Sequence, residues 1–262
     1  MLEIKNIKYE YKKGPLVLKD ISFEMDKGDC LCILGPNGTG KTTLLKIILG
    51  FFKPLAGSLY IDAQNLSEIT PHKRAKLIAY VSQSSNIIFP YTVREVILMG
   101  RTSHLSIGAS MTSADNSIVD EVMKGLCITH LQYKYFQNLS GGEKQMVMIA
   151  RALSQQAKYI IMDEPTSSLD YSNQIKILNT IKQLSKAGYG IIMTSHFPNH
   201  AFTSCNKVLL MKDGYIMDFG SPEKVVSSKN LTKLYNADVG VAKAILDDEL
   251  FTYASKVCVP II

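Results

Sequence analysis

Long hydrophobic runs are missing from this sequence. No stretch approaches the roughly 18 consecutive apolar residues that a membrane span needs, although 46% of the 262 residues are hydrophobic. Any role at a membrane is therefore expected to come through a partner. Residues 1–8 alternate apolar and charged side chains and lack the apolar core of a secretory leader, so a cytosolic chain is expected. Charge of one sign is not concentrated either. The 29 basic and 23 acidic residues leave a net charge of +6, and no run of about five like charges occurs. A nucleic-acid partner is not expected from that balance; the mild basic excess suits work beside an anionic membrane face. Cysteine is sparse: Cys30, Cys32, Cys127, Cys205 and Cys258 are scattered and odd in number, which argues against a disulfide framework or a zinc site. Cys30 and Cys32 stand two apart in an apolar strand-like run, share one face, and read as small core residues. Internal repeats and low-complexity tracts are absent.

What is present is a chain long enough for one large domain, or one domain carrying an inserted subdomain. Residues 2–11 have the irregular alternation of a half-exposed strand, 12–15 read as a turn, and 17–25 as the returning strand. Three other segments, 29–34, 159–162 and 189–194, are short, apolar and bounded by glycine or charge, as parallel strands buried on both faces are. Helical patterns at 42–49 and 172–185 lie between them, the second with Ile175, Leu178, Ile181 and Leu184 at three-residue steps. Strands alternating with helices point to an α/β fold with a parallel sheet. Residues 86–153 interrupt this pattern with helical sequence and read as an inserted helical subdomain. Within it, 92–99 forms a helix with Thr92 as N-cap and Glu95 three residues on; 113–125 forms another, and 102–110 a polar loop.

Chemistry enters at Gly35, Pro36, Asn37, Gly38, Thr39, Gly40, Lys41 and Thr42, which fit G-x-x-x-x-G-K-[ST] between an apolar strand and a helix. Glycines let successive backbone N–H groups curl round phosphates, and the helix N-terminus adds partial positive charge. Lys41 is expected to reach the β- and γ-phosphates, Thr42 to ligate Mg²⁺, and Thr43 to support the α-phosphate. A second apolar strand ends in Asp163 and Glu164. Asp163 is placed to hold the Mg²⁺ shell and Glu164 to polarise an attacking water. A third ends at Thr194, Ser195 and His196. Carboxyl ends of adjacent parallel strands line one crevice, so His196 is expected near Glu164 and the γ-phosphate.

Together these residues resemble the ABC ATPase family over residues 2–235. The most specific match is Leu139, Ser140, Gly141, Gly142 and Glu143, similar to the family signature Leu-Ser-Gly-Gly-Gln with Glu143 in place of Gln. Residues 80–83 resemble the Q-loop, Pro165 to Asp170 the D-loop, and His196 the switch histidine. Tyr11 resembles the aromatic that stacks on adenine, with Tyr9 as its competitor. Residues 91–101 and 195–199 are similar to ATPases of iron-siderophore, haem, vitamin B12 and molybdate importers.

The resemblance implies a P-loop NTPase with a RecA-like parallel core, an N-terminal antiparallel β subdomain (core and β subdomain 1–85 and 154–235), a helical signature subdomain (86–153) and a C-terminal extension (236–262). It implies an ATPase using ATP and Mg²⁺, with Gln83 sensing the metal and the water. Two copies would sandwich two ATP molecules, with Ser140, Gly141, Gly142 and Glu143 of one copy and Asp170 completing the other copy's site. Two membrane permease subunits are expected to dock near Gln83–Arg101 at the cytoplasmic face of the membrane, fed by a solute-binding protein. A soluble ABC ATPase outside transport is the alternative; such chains usually carry two nucleotide domains, a coiled coil or zinc-binding cysteines, and none is evident here.

Overall fold

The computed structural model describes residues 1–12, 14–83, 87, 89–106, 108–248 and 251–261. Residue 13 of the expected turn, residues 84–86 and 88 of the segment expected to dock a partner (86 also the expected start of the helical insert), residue 107 of the expected polar loop, and residues 249–250 and 262 of the extension lie outside the described residues.

The described residues form three sheets. The first is antiparallel, in the order β2-β1-β4-β5, from β1 (Leu2–Glu10), β2 (Leu16–Met25), β4 (Ala56–Ile61) and β5 (Gln64–Asn65). The β1–β2 hairpin expected from alternation is present, with Leu2 opposite Met25 and Glu10 opposite Leu16. β4 pairs with the other edge of β1 and was not legible beforehand.

The second sheet has six strands in the order β10-β9-β3-β8-β7-β6. These are β3 (Cys30–Leu34), β6 (Ile78–Val81), β7 (Tyr159–Met162), β8 (Gly190–Ser195), β9 (Lys207–Lys212) and β10 (Tyr215–Gly220). Five are parallel and β10 joins antiparallel at the edge. β3, β7 and β8 are buried along their whole length, which is why they read as unbroken apolar runs rather than alternations. Their alternate faces feed two cores. Cys30, Cys32 and Leu34 point into one, Leu31 and Ile33 into the other.

The second core lies under the antiparallel sheet and α1 (Lys41–Leu49); α2 (Pro71–Ala75) is a short surface turn of helix leading to β6. The first core lies under α3 (Val93–Leu98), α4 (Ser113–Gly125), α5 (Gly141–Ser154) and α6 (Tyr171–Lys186). α3, α4 and α5 each open with a capping box, Thr92/Glu95, Thr112/Asp115 and Ser140/Glu143. In each, the side chains satisfy two otherwise orphaned backbone donors reciprocally.

Three expectations need correction. Ile175 is exposed, and Ile177, Leu178 and Ile181 form the buried stripe of α6. Three-residue steps turn by less than one helical turn each, so a stripe drawn at strict threes drifts off the core face. Of the loop expected at 102–110, residues 102–104 belong to a 3-10 helix, Met99–His104, in which Gly100 packs against the Arg151 backbone too closely for any Cβ. Arg101 is buried: it pairs with Asp115 at 2.9 Å and donates to the Ser154 carbonyl at 2.7 Å and to Gln156 Oε1 at 2.9 Å. It pins the insert together and offers no docking surface, although it closes the segment expected to dock a partner.

Beyond β8 the chain forms α7 (Asn199–Ser204), then β9 and β10, then α8 (Pro222–Val225) and α9 (Ser228–Tyr235). The C-terminal extension is a two-stranded antiparallel ribbon of β11 (Val239–Asp248) and β12 (Phe251–Pro260). It is tied to the chain beside His196, where Asn199 Oδ1 accepts from the Cys258 N–H at 2.7 Å. Cys30, Cys32 and Cys205 gather in the core as free thiols, with 3.2 Å between the sulfurs of Cys30 and Cys205. Among the described residues, no helix is long and apolar enough to cross a membrane.

Candidate functional site

Strand order decides what meets at the carboxyl edge of the parallel sheet. In the sequence of neighbours β3-β8-β7-β6, the strand ends deliver the glycine-rich loop, then Ser195 and His196, then Asp163 and Glu164, then Gln83. These groups lie far apart in the chain, and parallel pairing places them side by side.

The loop from Gly35 to Gly40 turns directly into α1. Gly40 stands at φ 99°, and no side chain caps the helix. That backbone angle is in the left-handed region, open to glycine without steric cost. The first N–H groups of α1 are thus left for an external acceptor. Lys41 is buried, and its ammonium donates to the carbonyls of Gly35 at 2.6 Å and Pro36 at 2.9 Å. Burial pushes its pKa below the usual lysine value, while Glu164 and Asp163 pull in the opposite direction. Thr39 Oγ1 closes the loop onto the Pro36 carbonyl.

A cleft of about 300 Å³ opens over this loop, lined by Tyr11, Val17, Asn37, Gly38, Gly40, Lys41, Thr42, Thr43 and Glu164. Tyr11 is half exposed at its rim, its hydroxyl 2.9 Å from Thr43 Oγ1. Tyr9 stands behind, edge-on to Tyr11 and stacked on Phe52 with ring centroids 5.4 Å apart. Of the two tyrosines, only Tyr11 lines the cleft.

Two hard oxygen donors meet at the loop's end, Thr42 Oγ1 lying 3.4 Å from Asp163 Oδ1. A hydroxyl beside one carboxylate fits Mg²⁺, which keeps most of its waters and binds through one or two protein oxygens plus phosphate. No group of three or more His, Cys, Asp or Glu side chains able to hold a metal ion occurs among the described residues, so such a cation would draw its remaining ligands from substrate and water.

Glu164 stands at φ 48°, an uncommon angle for a side chain other than glycine. Its carboxylate accepts from Gln83 Nε2 at 2.9 Å on one oxygen and touches His196 Nε2 with the other. His196, expected near Glu164, is in contact with it, and Gln83, expected from the Q-loop resemblance, meets the other oxygen of the same carboxylate. The next residue past His196 is braced as well. The Phe197 N–H donates to Ser195 Oγ at 3.0 Å, and Ser195 Oγ lies 2.8 Å from His200 Nδ1. Burial lowers the His200 pKa, which favours the neutral ring there.

Ser140, Gly141, Gly142 and Glu143 do not line this cleft. Ser140 caps α5 by accepting from the Glu143 N–H at 3.3 Å, and Glu143 accepts from the Ser140 N–H at 2.8 Å. That second bond holds the Glu143 carboxyl below its usual pKa. Gly142 has a role inside the chain: a Cβ there would collide with the Asn173 side chain. Asn173 in turn is bound to Asp170, the N-cap of α6, through both its backbone and its amide. The expected signature and D-loop residues therefore form one packed surface. Asn173 was missed by sequence reading, although its place three residues after Asp170 is the capping position. Thr194 was read only as a strand end; its hydroxyl in fact contacts both Asp163 and Glu164.

A second concavity of about 450 Å³ lies between the parallel core and the helical insert, lined among others by Leu49, Phe51, Arg74, Tyr80, Arg151 and Gln155. Phe89 and Tyr91 are exposed apolar side chains on the segment after Gln83.

Known proteins match this arrangement along most of the chain. The profile of the family described as ABC transporter matches residues 18–167. The iron chelatin transport ATP-binding protein of Helicobacter pylori is 34% identical, over 97% of this chain and 99% of its own length. The molybdate import ATP-binding protein MolC of Haemophilus influenzae is 32% identical, over 96% and 94%. Among solved structures, a metal-chelate type ABC transporter in an inward-facing conformation superposes with a TM-score of 0.88 at 30% identity, covering 100% of this chain and 97% of that one.

Proposed function

The chain belongs to the ABC transporter family as an ATP-binding subunit that hydrolyses ATP, and on that premise we propose that two copies sandwich two ATP molecules to drive uptake of a chelated metal or related solute through membrane permease subunits. One observation carries the shared-site reading. The cleft over the glycine-rich loop holds Tyr11, Lys41, Thr42 and Glu164, yet none of the signature residues at the N-terminus of α5 lines it. A second copy, facing head to tail, brings its α5 N-terminus to the open side of the nucleotide.

In this reading Tyr11 stacks on adenine and the N–H groups of 38–43 cradle the phosphates. Lys41 exchanges its loop carbonyls for the β- and γ-phosphate oxygens. Thr42, Asp163 and Gln83 are the residues that would hold Mg²⁺, which when bound neutralises phosphate charge. Glu164 takes the proton of the attacking water, oriented by Gln83 and His196 on its two oxygens. Ser140, Gly141, Gly142 and Asp170 of the opposing copy close the site. The molecule divides into a core at 1–85 and 154–235, a helical insert at 86–153, and an extension from 236. Permease subunits dock beside Gln83, at the exposed Phe89 and Tyr91 and the groove next to Tyr80. The ATPase then lies peripherally at the cytoplasmic face, with a solute-binding protein feeding the permease. The relatives named above handle molybdate and iron chelates, which supports a metal-containing solute and leaves the choice between them to the permease.

Glu164→Gln tests the reading. It keeps shape and ATP affinity and removes the proton acceptor, so phosphate release is expected to fall by ~100-fold or more while an ATP-bound dimer accumulates in size-exclusion chromatography. Wild-type hydrolysis by this variant would remove Glu164 from its role.

A further inference from the structure

Thr194 is fully buried next to the end of β8, a strand that runs Gly190–Ser195 and is buried along its whole length. A hydroxyl in such a place is costly unless it is hydrogen-bonded. This one is bonded twice. It donates to Asp163 Oδ1 at 2.7 Å and accepts from the backbone N–H of Glu164 at 2.8 Å. The directions are forced, because an ionised carboxylate only accepts and an amide N–H only donates.

The second bond falls where the backbone leaves the sheet. β7 ends at Met162, and the Asp163 N–H still reaches the Val81 carbonyl of β6. At Glu164 the chain turns to φ 48°, and the amide that would have continued the ladder points at Thr194 instead. A left-handed non-glycine residue persists only where its surroundings over-determine it. The same hydroxyl also fixes the neighbouring Asp163 carboxylate.

We propose that Thr194 is a positioning residue for hydrolysis: its hydroxyl locks the turn that aims the Glu164 carboxylate and sets the rotamer of Asp163, without itself touching nucleotide or water. The proposal rests on Glu164 being the group that polarises the water. Valine would pack equally well at this position, so the requirement is for the oxygen and not for the volume. Displacements of about 1 Å at a reacting group are enough to cost a large factor in rate.

The test compares Thr194→Val, which removes the hydroxyl at constant shape, with Thr194→Ser, which keeps it. Steady-state phosphate release and equilibrium ATP binding are measured on the full-length protein. Thr194→Val is expected to lower kcat by about tenfold or more with KM and ATP affinity within about twofold, and Thr194→Ser to recover most of the rate. In a Glu164→Gln background, Thr194→Val should add little, because its effect on the Glu164 carboxylate is already spent and only its hydrogen bond to Asp163 remains to be lost. Should Thr194→Val not fold, Thr194→Ala against Thr194→Ser carries the same comparison of hydroxyl lost and kept. Near wild-type kcat in Thr194→Val, beside a slow Glu164→Gln, overturns the role of Thr194 and leaves that of Glu164 standing. A parallel loss of ATP affinity that serine does not restore overturns it too, because it marks a purely structural residue. A fast Glu164→Gln overturns both readings together.

Discussion

α1 and α5 both begin at small polar or glycine residues, and their N-termini are finished in opposite ways. α1 starts from Gly40 with no side-chain cap, and its only lysine at the start folds back on loop carbonyls. α5 starts from Ser140 inside a complete capping box with Glu143. The first leaves its backbone donors open for a phosphate. The second meets two of its donors internally, the N–H groups of Ser140 and Glu143, and keeps the Ser140 hydroxyl proton and the glycine backbone for a partner's nucleotide. An N-terminus that must bind substrate alone is left unsatisfied; one that acts only after association can be stable by itself in the meantime.

The largest effects should come from breaking the two ends separately. Lys41→Ala removes the cation at the open end, and monomer ATP affinity should fall on the order of 10–100-fold, the worth of charged hydrogen bonds. Ser140→Arg places bulk and charge at the closed end. It should leave ATP binding to the monomer intact and abolish ATP-driven dimerisation, read by size-exclusion chromatography. If Ser140→Arg dimerises normally, the two ends do not share a site.

A smaller effect separates the rim of the open end from its floor. Tyr11→Ala should weaken ATP binding by about tenfold, since stacking on a base is worth ~1–3 kcal/mol, and should not improve discrimination between ATP and GTP. Tyr9→Ala, which disturbs only packing behind the rim against Phe52, should cost less. The reverse order of the two would move the stacking role to Tyr9.

The smallest effect sharpens the closed end. Glu143 carries negative charge where a partner's γ-phosphate is proposed to arrive, so Glu143→Gln should tighten ATP-driven association by roughly a few-fold at low salt and by less at high salt. It should also weaken the cap by about a few tenths of a kcal/mol after solvent screening. The sign with pH follows from the depressed pKa. The Ser140 N–H holds the folded carboxyl below its unfolded value of about 4.3. Its contribution is therefore fully present above that value and is lost as pH falls through the folded one. Denaturation of wild type and Glu143→Gln should converge in acid and differ near neutrality.

Much of this molecule was legible residue by residue. The spans of α4 and β7, the Thr92 cap, the glycine-rich loop carrying Lys41 and the two strand ends carrying Glu164 and His196 all follow from patterns within a few residues. Glycine-rich turns, capping boxes and unbroken apolar runs are local: their energetics are settled between i and i+4, or by burial on both faces of a strand. The stripe on α6 went astray because a threefold spacing mimics helical periodicity only briefly.

Tertiary structure alone decided what depends on neighbours distant in the chain. Parallel pairing in the order β3-β8-β7-β6 brought Gln83 and His196 onto the two oxygens of Glu164. Packing against Phe52 put Tyr9 behind Tyr11, and Asp115 with the Ser154 carbonyl drew Arg101 out of the solvent. The Thr194 hydroxyl found its two partners some thirty residues away. Sequence by itself determined which chemical groups stand at strand and helix ends, because backbone propensity and capping act locally. Which of those ends face one another is set by strand order and core packing, and those are long-range terms that no local pattern encodes.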